Sequence, residues 1–355
     1  MIAWIVLLNL GHFYNSITTL ILSSICYKEI ITLSESKQRT NLFGKFMDWY
    51  IYGMMIYYVL PMNYLKPKLV ESFILPDSFF HLILFQYHSF ILFCLFLIAL
   101  VLFVFSLELD KCQYQVEKLT MNLLGALFVV FIPSFASSNI YKGLYWLLFP
   151  HICVVTNDVF SYTLGQIFGR TPLIKISPKK TWEGFIGGLI CTYIMAFILP
   201  IYLQGSQQML CSMNEIRIRP FAEVACSNVE LEQYSRIISL EMAGIQIHLT
   251  RLQFDSLVIA TYASLIAPFG GFFASGVKRA LNIKDFGNAI PGHGGLTDRF
   301  DCHGLMGIFT YFYLNYIIYK DQMVAENLSN VLNSMTNEQR IALLPQIISQ
   351  IQKLQ

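Results

Sequence analysis

The sequence predicts an all-α, polytopic integral membrane bundle of about eight transmembrane helices. Three observations carry that expectation. Of the 355 residues, 55% are hydrophobic and only 13% are charged, about half the charged share of a soluble domain. The apolar residues fall in long charge-free runs, and a bilayer needs about 20 such residues per helix. Phe and Tyr number 29 and 20, which suits lipid-facing and interfacial positions.

The candidate spans follow in chain order. Met1–Tyr27 is charge-free and lacks a basic leader, so it reads as a span rather than a cleaved signal. Trp49–Leu65 is short and flanked by Asp48 and Lys66. Ser78–Leu107 is long enough to cross with tilt. Leu119–Tyr141 follows, then Gly143–Gly169, apolar except for Asp158. Gly184–Leu203, Ser256–Val277 and Cys302–Tyr319 complete the eight. These spans suggest N-terminal transmembrane helices over 1–118 and a catalytic transmembrane domain over 119–320 that includes the loop 204–255. A C-terminal amphipathic tail covers 321–355. In the tail, Thr336 and Gln339 form a capping-box pattern ahead of Ile341, Leu344, Ile348, Ile351 and Leu354.

Charge assigns sides to the loops. The loops 28–48, 108–118, 170–183 and 278–301 hold fourteen Lys and Arg; those on the opposite side, at 66–77, 142 and 204–255, hold seven. The positive-inside rule places the first set in the cytoplasm. A net charge of only +2 excludes a nucleic-acid partner bound by bulk positive charge. The eight cysteines (26, 94, 112, 153, 191, 211, 226 and 302) contain no CxxC pair, which argues against a zinc site. Cys211 and Cys226 share the 204–255 loop, as a disulfide or as two free thiols. The embedded polar residues His12, Asn15, His81, His88 and His151 read as satisfied or interfacial side chains.

Chemistry concentrates in three places. The first is the stretch from Ser275 to Asp301. Ser275, Lys278 and Arg279 are spaced i, i+3, i+4, so on a helix one hydroxyl and two cations share a face suited to phosphate. Lys284 and Asp285 follow. Pro291-Gly292-His293-Gly294-Gly295 lets backbone amides approach a ligand closely. Asp298 and Asp301, spaced i, i+3, project from one helix face, and paired carboxylates beside phosphate are how Mg²⁺ is held. Arg299 points elsewhere, as a phosphate clamp or a counter-charge. A loop of solvated charges that only sets topology does not explain three acids, a histidine and five glycines (276, 287, 292, 294 and 295) in one short stretch.

The second place is Ser177-Pro-Lys179-Lys180-Thr181-Trp-Glu183-Gly184. Ser177 followed by Pro178 reads as a helix N-cap and first residue. Two lysines in a first turn oppose the helix dipole, a conflict that a bound anion resolves. The third is Asn157-Asp158, an amide and a carboxylate within an apolar run, functional by default in a membrane.

The string Ser275-x-Val-Lys-Arg-x4-Lys-Asp-x-Gly-x2-Ile-Pro-Gly-His-Gly-Gly-x2-Asp-Arg-x-Asp301 resembles the motif of CDP-diacylglycerol synthases, the phosphatidate cytidylyltransferases. Ser177–Gly184 is similar to a second block of that family, and Phe269–Ser275 to its eukaryotic members. The resemblance is strong over about 140–319. It implies a multi-span fold with a polar cavity open to the cytoplasm. It implies that CTP and phosphatidic acid give CDP-diacylglycerol and pyrophosphate, with Mg²⁺ as cofactor, for phosphatidylinositol and phosphatidylglycerol biosynthesis. The implied location is the endoplasmic reticulum membrane. Membrane lipids are partners, and a homodimer is compatible. On this reading Asp298, Asp301, His293, Lys278 and Arg279 are catalytic. Ser177, Lys179, Lys180, Thr181, Ser275, Lys284, Gly294, Gly295 and Arg299 bind substrate. Asp298, Asp301 and Asp158 hold the metal. Bacterial members carry a metal-binding Asp just before the Ser-x-x-Lys-Arg block, where this chain has Gly270-Gly271. Asp158 is the preferred replacement, with Asp285 or Asp301 also open. The rival readings are an alcohol phosphotransferase, whose Asp-x2-Asp-Gly block is absent, an ion transporter using Asp158, and a catalytically silent scaffold of the same fold.

Overall fold

The computed structural model describes residues 10–35, 42–59, 87–127, 132–213, 221, 228–242, 245–289 and 294–320. The tail helix expected from Thr336 onward lies outside them. The helices in chain order are α1 (His12–Glu35), α2 (Leu42–Val59), α3 (His88–Phe105), α4 (Cys112–Ala126), α5 (Ile132–Tyr141) and α6 (Tyr145–Phe168). The hairpin β1 (Pro172–Ile174) and β2 (Ser177–Thr181) leads into α7 (Trp182–Leu203). Then come the short α8 (Gln207–Leu210), α9 (Asn228–Ser235), the hairpin β3 (Ile237–Met242) and β4 (Ile245–Thr250), α10 (Arg251–Leu265), α11 (Pro268–Ala280) and α12 (Thr297–Tyr313).

Among the described residues four stretches are long and apolar enough to cross a membrane: His12–Leu33, His88–Phe105, Trp182–Leu203 and Arg251–Ala280. The chain is an integral membrane protein. Helix α3 shows how far lipid replaces protein as the packing partner: of its residues only Ala99 is buried. The expected span 256–277 is two helices. The chain turns at Ile266–Ala267, and Pro268 opens α11, where its missing N–H is harmless and its fixed φ suits a first turn. At the front of α10, Thr250 Oγ1 accepts the Gln253 amide at 3.3 Å and Gln253 Oε1 accepts the Thr250 amide at 2.9 Å, a reciprocal cap.

The all-α expectation needs two corrections, both outside the helical core. The loop 204–255 folds partly as the antiparallel pair β3–β4, registered from Ile237 opposite Thr250 to Met242 opposite Ile245. The second block contains β1–β2, with Pro172 opposite Thr181 and Ile174 opposite Ser177. In both, short polar segments between spans satisfy their backbone groups by pairing with each other. Cys211 is disulfide-bonded, whereas Cys26, Cys94, Cys112, Cys153, Cys191 and Cys302 carry no disulfide. Cys226 lies outside the described residues.

The chain divides into two compact units, Met1–Thr310 and Tyr311–Gln355. In the larger one α6, α7 and α10 pack on one another. Small residues allow the close approach of α6 and α7. A Cβ on Gly184 would come within 2.9 Å of the Gly165 Cα, and one on Gly188 within 2.9 Å of the Asn157 carbonyl. Between apolar helices such contacts supply attraction that the hydrophobic effect does not. A second core joins Cys26, Tyr27 and Ile30 of α1 to Ile51 of α2 and Ala126 of α4, with Leu296 and Phe300 packed against it. The N-terminal helices therefore abut the start of α12. Asp48 and Lys118, which the charge count assigned to loops, are buried partners at 2.8 Å, and Asn122 Nδ2 donates to the second Asp48 oxygen at 2.5 Å. Mutual neutralisation is what allows two such charges to leave water. In the smaller unit, residues 314–318 form a π-helical segment, and Asn315 Nδ2 donates to the Tyr311 carbonyl at 2.8 Å.

Candidate active site

The site is built where α11 ends and α12 begins. Helix α11 brings Lys278 and Arg279 into its last turn, where cations complement the dipole. Lys278 Nζ lies 2.8 Å from Asp298 Oδ1. The other Asp298 oxygen accepts the backbone amides of Phe286 at 2.9 Å and Gly295 at 3.0 Å. One carboxylate thus gathers the three parts of the motif: the basic turn of α11, the connecting loop and the glycine turn before α12. Both members of the ion pair are partly withdrawn from solvent, with side-chain exposures of 16% for Lys278 and 7% for Asp298. Gly294 has φ +85°, a conformation that favours glycine, and Asp285 lies under it, 3.0 Å from where a Cβ would sit.

The second block adopts a different local structure from the one expected. Ser177 is not a helix cap. Residues 177–181 form β2, and Thr181 caps α7, its Oγ1 accepting the Gly184 amide at 3.3 Å. Strand pairing takes Ser177 and Pro178 before a helix can start, so Lys179 and Lys180 precede the helix rather than sit in its first turn. Glu183 locks the block's base by accepting the Arg170 amide at 3.1 Å and the Thr171 hydroxyl at 2.7 Å. Lys180 Nζ reaches 3.7 Å from Asp158 Oδ1 on α6 and sits 5.9 Å from the centre of the Phe272 ring on α11. Arg299, on the first turn of α12, also acts electrostatically on Asp158. The three sequence clusters therefore lie within electrostatic reach of one another. Asn157 and Asp158, neighbours in sequence, part company. Asn157 is buried against Gly188 of α7, while Asp158 faces the cations.

Beside this polar centre lies an apolar cleft of about 380 Å³, within the range of ligand pockets. Leu22 and Cys26 of α1, Leu124 of α4, Phe273 of α11 and Thr297 and Phe300 of α12 line it. Phe286, whose amide donates to Asp298, is also at its wall. Phe269 and Phe273 are more than half exposed, so the cleft has one flank toward the lipid side. His151, given no role by the sequence, stacks on His303 in this wall at 4.8 Å.

The other expected site residues are placed as follows. Ser275 Oγ donates to the Gly271 carbonyl at 2.8 Å. Lys179, Arg279, Lys284 and Arg299 are exposed. Asp301 lies in α12, its side chain outside the described residues, as is all of His293. Among the described residues no three His, Cys, Asp or Glu converge as a metal cage. Sequence reasoning missed Glu29, which accepts the Leu296 and Thr297 amides. Its only signal was an acid just beyond the first charge-free run.

A family model described as the cytidylyltransferase family matches residues 1–317. The chain belongs to the cytidylyltransferase family. Curated relatives that match most of this chain include three phosphatidate cytidylyltransferases. That of Saccharomyces cerevisiae is 35% identical over 351 residues, covering 97% of this chain and 76% of the yeast protein. Phosphatidate cytidylyltransferase 1 of Arabidopsis thaliana is 33% identical over 347 residues, 96% of this chain and 82% of the plant protein. Phosphatidate cytidylyltransferase 2 of Homo sapiens is 36% identical over 323 residues, 87% of this chain and 70% of the human protein. This cytidylyltransferase family match includes the N-terminal helices, where the motif resemblance was weakest.

Proposed function

We propose that this cytidylyltransferase moves the cytidylyl group of CTP to phosphatidic acid, forming CDP-diacylglycerol and pyrophosphate for phospholipid biosynthesis. The observation that carries the substrate assignment is the juxtaposition of a cationic site with an apolar cleft. An amphiphile with a phosphate head matches both halves. Phosphatidic acid places its phosphate near Lys278, Lys180 and Arg299 and its acyl chains in the cleft.

A phosphate oxygen of phosphatidic acid attacks the α-phosphorus of CTP in line. The bond between that phosphorus and the oxygen bridging to the β-phosphorus breaks, and pyrophosphate carries the electron pair away. The nucleophile is already anionic, because a phosphomonoester has a second pKa of about 6, so no strong general base is required. What the chain supplies is position and neutralisation. Lys278 is fixed by Asp298, Lys180 is drawn toward Asp158, and Lys179, Arg279 and Arg299 are exposed cations of the same motif blocks. His293 would meet the pyrophosphate end.

Mg²⁺ fits the donor chemistry. Asp158 and Asp298 offer hard carboxylate oxygens beside phosphate-binding cations, and Mg²⁺ usually takes one or two carboxylates and completes its shell with water and substrate phosphates. Asp298, Asp158 and Asp301 are the residues that would hold it. Bound there, it would neutralise charge on the transferring phosphate. Purified protein in detergent with CTP, phosphatidic acid and Mg²⁺ should release pyrophosphate. No release from folded protein, or equal release without phosphatidic acid, sinks the reading.

The proposed setting is the endoplasmic reticulum, with eight spans and the site facing the cytoplasm. Lys175 and Asn288 are both exposed, one in each motif loop. With accessible native thiols removed, Lys175→Cys and Asn288→Cys should both react with an impermeant reagent from the cytosolic side. Reaction from opposite sides is incompatible with one shared site.

A further inference from the structure

We infer that Glu29, on the first transmembrane helix, is a positioning residue for the Asp298 turn. The inference rests on the reading of Asp298 as part of the active site.

The turn before α12 presents three consecutive amides, those of Gly295, Leu296 and Thr297. A helix start leaves such N–H groups without intrahelical partners. Here carboxylates take all three. Asp298 Oδ2 accepts Gly295 at 3.0 Å, Glu29 Oε1 accepts Leu296 at 2.8 Å and Glu29 Oε2 accepts Thr297 at 2.9 Å. The Thr297 hydroxyl adds a bond to the Cys26 carbonyl at 3.4 Å. Glycines make room for this brace. A Cβ on Gly287 would lie 2.6 Å from the Glu29 carboxyl carbon, and one on Gly295 would lie 2.7 Å from Oε2. Two of the motif's glycines therefore serve the approach of an acid from more than 250 residues away in sequence.

The consequence reaches the chemistry. Asp298 is the residue after the last amide Glu29 holds, and its carboxylate fixes Lys278. Holding both oxygens of Glu29 on adjacent amides sets where α12 starts and which way its first turn faces. Glu29 itself is engaged with backbone, so it acts on substrate only through Asp298. Helix α1, which the sequence offers as a plain membrane anchor, is by this account part of the catalytic architecture.

Glu29→Gln tests it. Gln keeps the length but offers one acceptor oxygen, and its NH₂ group would face an amide donor. Losing one charge-assisted bond should lower kcat by about 10- to 100-fold, with KM for CTP changed less than about 3-fold, since contacts to the nucleotide remain. Amide hydrogen exchange over 295–298 should quicken while that of α7 and α10 stays unchanged. Glu29→Asp, shorter by one methylene and still charged, should recover part of kcat and supplies the test if the Gln variant does not fold. Three results overturn the proposal: unchanged exchange in the turn, faster exchange with unchanged kcat, or tighter CTP binding, which would make Glu29 a plug rather than a brace. Asp298→Asn measured alongside separates the two levels. If it is inactive while Glu29→Gln is fully active, only the Glu29 assignment fails. If Asp298→Asn is itself active, the site reading fails.

Discussion

Asp298→Asn should lower kcat/KM on the order of 10³-fold while the protein remains folded, as read by thermal unfolding in detergent. Both carboxylate oxygens are engaged. One oxygen holds the Lys278 cation and the other holds two backbone amides. Asn keeps the size, but its single oxygen can face only one of these groups, and its NH₂ must then face a donor. The result is either a poorly neutralised lysine or a loosened glycine turn. A double variant sorts the causes. Lys278→Gln alone loses the phosphate contact, so an Asp298 that acted only by fixing Lys278 would make the double variant Lys278→Gln/Asp298→Asn no worse than Lys278→Gln. A further loss is expected, because the carboxylate also orders the turn and would offer hard oxygen to Mg²⁺. Activity of Asp298→Asn within a few-fold of the parent would remove this residue from the site.

Asp158→Asn should lose at least ~100-fold in kcat/KM, with more Mg²⁺ needed for half-maximal rate. The ion pair seen here cannot account for such a loss. Asp158 and Lys180 are 3.7 Å apart with side chains 46% and 43% exposed, and exposed pairs contribute about 0.2–1 kcal/mol. A hundredfold loss is about 2.7 kcal/mol, so the excess belongs to the reaction. Lys180→Ala should fall ~10- to 100-fold through a lost phosphate contact, without the Mg²⁺ shift. If both variants stay within about fivefold of the parent, the pair is a surface contact and the second block does not bind phosphate.

Much of the site was legible because its chemistry is local in sequence. Ser275, Lys278 and Arg279 do lie on one helix, and Asp298 and Asp301 on another, since helical spacing alone determines what shares a face. Membrane character follows from composition, because no soluble fold hides so much apolar surface. The second block misled for an equally local reason. Ser-Pro is a good helix start in isolation, but the strand Pro172–Ile174 just upstream paired with it, and pairing depends on the partner.

What the sequence by itself determined is therefore the kind of protein and the list of polar groups: a membrane-embedded chain with clustered cations, glycines and acids in fixed spacing. Only the tertiary structure decided which of these meet. It turned Asp158 toward Lys180 and Asn157 toward Gly188, and it buried Asp48 with Lys118. It also brought Glu29 onto the amides of Leu296 and Thr297. Each of these is a pairing across many residues, and charge or amide groups shut away from water must find whatever partner the packed helices bring within reach. Helix packing, set by small residues and apolar surfaces distant from the motifs, selects that partner, so no local pattern can name it.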